Sequence, residues 1–514
     1  QEMAITINVT EGERFVVSGV KLEGNYLDKD EEFKALVKIA AGKPYNAETV
    51  AETTKAFTDY FGKFGFAFAR VEAKPEIDRQ NNRVQFVLQA EPSRRAYVRR
   101  IMVSGNNRTR DEVIRREFRQ FEAAWYDGDK IRLSRDRVDR LGFFTDVNVE
   151  TIEIPGTPDQ VDLTFTVAEK PTGSISLGAG FSSAEKVTLS FGIRQENAFG
   201  SGNYLAVEVN TSKFNRNLVL STTDPYFTQN GISRTLDVFQ RTTRPYLGDV
   251  NSYSLVNSGL GLRFGVPVTE SDTVFVGANA EQTQIKTGTG LPYPYQKYAL
   301  DFGATSTALP LTLGWARDGR DSALVPSKGT YQRLNADLSI AGDVRYFRSN
   351  YQYQQYFPLS KKYTLAFNAD LGWGKGLKGQ EFPLFKNFYV GGLGSVRGFE
   401  QSTLGPSERT IQNDATSALV YLGGPKKLVL NAEFMMPFPG AGNDKTLRLY
   451  GFTDVGRAFG ESEKLSLDAL RVSAGIGLSW ISPMGPLRFS YATPIRQQTG
   501  DKIQKLQFQI GTSF

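Results

Sequence analysis

The last nine residues, Leu506-Gln507-Phe508-Gln509-Ile510-Gly511-Thr512-Ser513-Phe514, place Leu506, Phe508, Ile510, Thr512 and Phe514 on one face and Gln507, Gln509, Gly511 and Ser513 on the other. A period of two is the pattern of an extended strand with two unlike faces. It recurs upstream, where Val472, Ala474, Ile476, Leu478 and Trp480 alternate with Ser473, Gly475, Gly477 and Ser479. It recurs again where Ile175, Leu177, Ala179 and Phe181 alternate with Ser174, Ser176, Gly178, Gly180 and Ser182. From Gly173 to the last residue, such segments follow one another, separated by Gly, Asn, Asp and Ser turns. An apolar face opposed to a polar face over so long a stretch predicts an antiparallel transmembrane β-barrel with lipid outside and water inside. Allowing about 20 residues for a strand and its connector, the stretch predicts about 16 strands. A large soluble β domain is the alternative, but its apolar faces would need a cover that the sequence does not supply.

Composition narrows the function. The 514 residues include no cysteine and no histidine, so a disulfide framework, a Cys/His zinc site and a Ser-His-Asp triad are excluded. An enzyme is not expected, and no catalytic, metal or cofactor residue is assigned. The 36 Phe, 22 Tyr and 50 Gly, against 5 Met and 4 Trp, favour strands and tight turns. The 61 basic and 55 acidic residues leave a net charge of +6 and are mixed along the chain, unlike the clustered footprint of a nucleic-acid binder. No window approaches the roughly 18 consecutive apolar residues of a spanning helix, so only a closed barrel would cross a membrane. Gln1-Glu2-Met3 starts no basic-then-apolar leader. The glycine-rich pieces Gly200-Ser201-Gly202, Gly259-Leu260-Gly261 and Gly475-Ile476-Gly477 open no helix and precede no Lys-Ser/Thr pair, so nucleotide binding is not expected.

Upstream of Lys170-Pro171 the pattern changes to a repeat of strand, helix, helix, strand, strand. Phe15–Leu22 leads into Glu23-Gly24-Asn25, and Tyr97–Val103 leads into Ser104-Gly105-Asn106. In the first copy a helix is expected after Asn46, with Val50, Phe57, Phe61 and Phe64 on one face. In the second, Thr109 and Glu112 suggest a capping box before Val113, Ile114, Phe118 and Phe121. Gly65-Phe66 and Gly142-Phe143 suit helix ends. Each copy closes with a hairpin strand, Val84–Glu91 and Val161–Glu169, and Ala4–Gly12 matches those closing strands. The expected division is therefore residues 1–12 as the end of a truncated unit, 13–92 and 93–171 as two whole units, and 172–514 as the barrel, with at least one more unit before residue 1 in the natural protein.

Between the strands around Tyr363–Trp373 and Leu428–Phe434 lies a connector of about 50 residues, a length that usually serves function. It contains Asn387-Phe388-Tyr389-Val390-Gly391-Gly392 and Val396-Arg397-Gly398-Phe399. A fixed position inside the lumen requires a directional anchor, which arginine supplies by paired bonds to a carboxylate. Strand parity allows both Glu433 and Asp454 to face inward, so Arg397 is expected to pair with one or both.

Val396-Arg397-Gly398-Phe399 resembles the signature of the outer-membrane barrel-assembly superfamily, whose members carry polypeptide-transport-associated (POTRA) units followed by a 16-stranded barrel. Asp224-Pro225-Tyr226-Phe227, Gly451-Phe452-Thr453-Asp454-Val455-Gly456, Pro483-Met484-Gly485-Pro486 and the terminal Phe514 are also similar to family motifs. Asn431-Ala432-Glu433 and Arg115-Arg116-Glu117-Phe118-Arg119-Gln120 most resemble the branch that forms the central subunit of the β-barrel assembly machinery. The resemblance covers essentially the whole chain. It implies a Gram-negative outer-membrane insertase, POTRA units in the periplasm, no cofactor, and as partners unfolded β-barrel substrates, accessory outer-membrane lipoproteins and lipid. A two-partner secretion or autotransporter-assembly pore of the same superfamily and a passive porin are the alternatives.

Two further sites follow. The seam joins the first barrel strand, with Ile175, Leu177, Gly178, Ala179, Gly180 and Phe181, to the last, with Leu506, Phe508, Ile510, Gly511 and Phe514. Its glycines either relieve the curvature of the wall or weaken packing and permit a kink, and lateral opening to a nascent strand is the reading that the resemblance supports. Two basic helices are expected, one with Arg115, Arg116 and Arg119, the other with Lys130, Arg132, Arg135, Arg137 and Arg140; a solvated face is the default reading of each, and docking of acidic lipoprotein partners or anionic lipid is the sharper one.

Overall fold

The computed structural model describes residues 13–244, 253–269, 272–286, 291–322, 325–360, 362–440, 446–482 and 485–511. Ala4–Gly12, Pro483-Met484 and Thr512–Phe514, including the terminal Phe514 of the seam reading, lie outside them. The chain forms two compact units, residues 1–172 with 199–201, and 173–198 with 202–514.

In the N-terminal unit each repeat builds a three-stranded sheet whose hairpin-closing strand is central. Arg83–Glu91 runs parallel to Val16–Gly24 and antiparallel to Arg70–Asp78. Gln160–Glu169 does the same between Tyr97–Ser104 and Phe144–Glu153. The first repeat packs its helices through Tyr26, Phe33, Phe57, Phe61 and Leu88, and the Tyr26 hydroxyl donates to the Leu88 carbonyl at 2.6 Å. The rings of Phe118 and Phe165 pack with their centres 4.3 Å apart in the second core. The repeated glycines have one cause: at φ +100° and +87°, any Cβ on Gly24 or Gly105 would lie 2.2 Å from the Ala90 carbonyl oxygen or 1.9 Å from that of Val167.

Ala47–Gly62 begins as expected, with the Asn46 side chain accepting from the Glu48 N–H at 2.8 Å. The helix ends at a left-handed Gly65, and the Phe66 N–H reaches back to the Phe61 carbonyl. The capping box at Thr109 does not form. The helix there is only Asp111–Arg115, preceded by Arg110 without a side-chain cap, because the Thr109 N–H is already taken by Glu169 at 2.6 Å. Phe118 lies beyond that helix in the core, whereas Phe121 is exposed. The longer helix of this repeat, Gly128–Arg140, is capped by Asp127, which accepts from the N–H groups of Asp129 and Lys130.

The second unit is a closed barrel of sixteen antiparallel strands in sequence order, from Gly173–Ser182 to Leu506–Gly511. Its alternation matches the expected faces. Ile175, Leu177 and Ile476 point outward and are 72%, 82% and 70% exposed, whereas the inward Ser473, Ser490 and Gln507 are buried. Closure satisfies backbone groups that lipid cannot. The eleventh strand (Thr364–Gly376) and twelfth strand (Lys426–Pro437) bracket the long connector, residues 377–425. Replacing Phe165, fully buried in the second repeat, with Ala should cost about 3–5 kcal/mol. Limited proteolysis should then cleave the N-terminal unit first, while the barrel keeps its heat-modifiable electrophoretic mobility.

Candidate functional site

The connector folds into the lumen and is fastened there by charge. Arg397 is 2% exposed, and its guanidinium donates to Asp454 through Nε and Nη2 (both 2.7 Å) and to Glu433 through Nη1 (2.6 Å). Its backbone N–H also reaches Asp454 at 3.0 Å. Asp454 stands on the thirteenth strand (Leu447–Phe459) and Glu433 on the twelfth, where antiparallel pairing sets Asn431 opposite Asp454 and turns both acids inward. The structure thus uses both carboxylates that parity allowed. Charge-assisted, two-pronged bonds of this kind are stronger than neutral ones and fix orientation.

Several participants carried no separate signal in the sequence. Arg488, on the fifteenth strand (Gly485–Arg496), shares Glu433 at 2.9 Å. Asn431 links Asp454 to the Ser395 carbonyl. The Arg397 guanidinium lies 3.5 Å from the ring centre of Phe452 and 5.5 Å from that of Tyr450, a desolvated arrangement worth about 2 kcal/mol. Those rings fit because the fourteenth strand (Arg471–Ser482) presents glycine beneath them. A Cβ on Gly475 would come within 2.7 Å of Phe452, and one on Gly477 within 2.3 Å of Tyr450. The glycines dismissed as nucleotide-binding decoys therefore make room for the aromatic bed of the arginine. Inward parity of Tyr450 and Phe452 with Asp454 was the available clue.

The same loop reaches the last strand. Gly398–Phe399 pairs with Ile503–Gln504, and the Gln507 side chain bridges the Gly398 N–H and the Phe399 carbonyl. Val396 and Phe399 are fully buried, packed with Val390, Leu404, Val429 and Ala458. A second fastening lies across the lumen, where Lys386 meets Glu281 on the seventh strand (Asp272–Lys286) at 2.6 Å.

At the seam, described residues of the first and last strands pair at three positions: Ser182 with Gln509, Phe181 with Ile510, and Gly180 with Gly511. The first and second strands pair along ten, from Gly173↔Gln195 to Ser182↔Lys186. Gly511 takes φ +79°, and a Cβ there would lie 2.4 Å from the Ala179 carbonyl oxygen, so the last strand kinks as its glycine suggested. Ile175, Leu177 and Ala179 hold outward positions beside this junction, while Phe181 and Phe508 pack 5.6 Å apart across it.

The basic docking helices require correction. Only Arg115 of the first trio is helical; Arg116 and Arg119 lie in the following turn, half-buried, and Arg119 bonds the Phe118 carbonyl. The helix is cut short where the chain turns to bury Phe118. Arg115 pairs with Asp111, Arg132 with Asp129 and Arg135 with Asp136. Arg137 is drawn inward by the buried Glu117 at 2.9 Å. On the neighbouring strand Arg99 donates to both oxygens of Asp162, and that hydrogen bonding holds the carboxyl below the ordinary carboxylate range. Much of the basic surface is thus locally neutralised, although Arg115, Lys130, Arg132, Arg135 and Arg140 stay exposed.

A sixteen-stranded barrel plugged by an arginine-anchored loop, preceded by two repeats of this architecture, defines a class. The Omp85 superfamily domain matches residues 197–514, and the POTRA description, "Surface antigen variable number repeat", matches residues 15–92 and 96–170. The chain belongs to the Omp85 superfamily. Within it, the chain is 36% identical to the outer membrane protein assembly factor BamA of Neisseria meningitidis, over all of this chain and 68% of that protein. It is 27% identical to the BamA of Nitratidesulfovibrio vulgaris, over 99% of this chain and 63% of that one. The crystal structure of BamA from Haemophilus ducreyi lacking POTRA domains 1-3 superposes with a TM-score of 0.79 at 27% identity, covering 97% of this chain and 100% of that one.

Replacing Arg397 with Ala should destabilise the barrel by about 3–5 kcal/mol, because two buried acids lose their counter-charge. Glu433→Gln should cost less than Asp454→Asn, which interrupts three bonds from Arg397. Thermal unfolding in detergent and protease cleavage within residues 377–425 would measure the order.

Proposed function

We propose that this chain accepts unfolded β-barrel precursors at the periplasmic face of the outer membrane and catalyses their folding into the bilayer, without making or breaking covalent bonds. The carrying observation is the glycine junction at the seam, where Gly180 faces Gly511, whose φ of +79° kinks the last strand and leaves neither residue a side chain to pack across the ladder. Where wall strands part, unpaired backbone donors and acceptors form a template for an incoming strand. Burial of apolar faces in lipid and completion of backbone hydrogen bonds supply the driving force. The lumen loop supports this reading over a passive porin, since the anchored connector occupies the bore. The relatives' naming as BamA assembly factors supports it over a secretion pore.

Accessory lipoproteins dock, in this reading, on exposed arginines of the second POTRA repeat, Arg115 and Arg135, where an acidic partner would replace the local ion pairs. Reversal of both to Glu should abolish salt-sensitive lipoprotein capture while leaving the barrel folded; retained capture would remove this surface from consideration.

Because the chain has no cysteine, a Phe181→Cys/Ile510→Cys pair can be oxidised without competing thiols. These positions face each other across the seam. The oxidised protein should insert an unfolded barrel substrate into liposomes at least about tenfold more slowly, a barrier change of 1.4 kcal/mol or more, and reduction should restore the rate. Undiminished insertion by the cross-linked form would rule out an opening seam.

A further inference from the structure

Among prolines in the described barrel strands, Pro267, Pro358 and Pro437 end their strands, and Pro486 and Pro494 lie near strand ends. Pro310 alone stands well inside one, the eighth strand (Thr305–Asp318). Proline has no N–H to give a ladder and is normally kept out of central strands. The ladders on both sides of Pro310 register the loss. Pairing with the seventh strand runs to Ala278↔Leu311 and resumes only at Glu281↔Ala308. Pairing with the ninth strand (Gly329–Gly342) shifts between Pro310↔Ser339 and Ala308↔Gly342, a bulge. One stave of the wall is therefore loosened on both edges at the same height.

Its place in the circle gives this defect a consequence. With the strands in sequence order, the eighth has seven on one side and eight on the other before the seam is reached, so it lies opposite the seam. A wall that parts at one line must change its curvature elsewhere, and an intact ladder resists bending because every row would lose alignment. A break opposite the seam gives the widest opening for a given bend. The lumen loop acts on the same division: through Arg397 and Gln507 it ties together the twelfth, thirteenth and last strands, and through Glu433 the fifteenth. Those strands are cross-linked into a block on one side of Pro310. On the other side, among the described residues, the loop touches only strands next to the break. Lys386 meets Glu281, one row from it, and Val420 and Leu422 pack with Leu255 and Ile285 of the sixth (Ser254–Pro267) and seventh strands, close to a pivot where displacement is smallest.

We propose that Pro310 is a positioning residue for strand insertion, the hinge about which the two halves of the barrel swing when the seam parts. This rests on the insertion reading above. Bulges and missing rows bend strands, and hinge movement concentrates at such places.

The test uses the full chain in liposomes with spin labels at Leu189→Cys and Tyr491→Cys, on outward, exposed positions of the second strand (Lys186–Ala198) and the fifteenth. Distances are compared with and without Pro310→Ala, which regains the N–H without added bulk; Pro310→Val serves as a second variant, and heat-modifiable mobility certifies folding. The wild-type hinge should show a short and a long distance. The long fraction should fall about fivefold on replacing Pro310, the shift expected from one restored ladder hydrogen bond, with insertion of an unfolded barrel substrate falling in step. Two distances unaltered by either substitution would overturn the hinge and leave the opening seam standing. A single short distance in a wild-type barrel that still inserts substrate would overturn the seam reading and the hinge with it.

Discussion

A guanidinium removed from water has to find acceptors for its hydrogen bonds and a counter-charge within reach, or the fold that buries it does not survive. Arg397 meets this demand with Asp454 and Glu433, and much of the barrel's interior is arranged around doing so. The acids require the twelfth and thirteenth strands to pair in the register that faces both inward. The flat face of the guanidinium lies over Phe452, and that ring in turn requires glycine at position 475. Arg488 supplies a second positive charge to Glu433. A connector of this length would otherwise explore many conformations, and these contacts offset the entropy of holding it in one.

The bilayer imposes the other constraint. Every backbone group in the wall has to be paired within the wall, so places where pairing lapses stand out. Two bear on insertion: the seam, where Gly180 faces a kinked Gly511, and the interrupted rows around Pro310. They lie on opposite sides of the circle, and the arginine-anchored loop binds the strands on one side between them. Coupling and looseness are thus distributed unevenly around one cylinder, which is the physical content of the insertion reading.

The sequence was most legible where one residue's chemistry settles its own surroundings. Asn46 caps its helix because the amide it satisfies is two residues away. The alternation of Ile175, Leu177 and Ala179 with small polar residues gave strand faces directly, and inward parity paired Arg397 with its acids. Reading failed where a distant residue intervened. Thr109 looked like a cap, but Glu169, sixty positions away, takes its N–H. Arg119 and Phe121 looked helical, but the chain leaves the helix after Arg115 to bury Phe118.

The sequence alone determined that the chain is a barrel of about 16 strands preceded by two repeated units, because period and repeat length are local properties that no tertiary contact revises. Tertiary structure alone decided that both acids, rather than one, hold Arg397, that Gly475 and Gly477 serve the aromatic rings beneath it, and that Pro310 falls opposite the seam. Each of these depends on which residues are brought together across the closed wall, and closure sets that register only when all sixteen strands have paired.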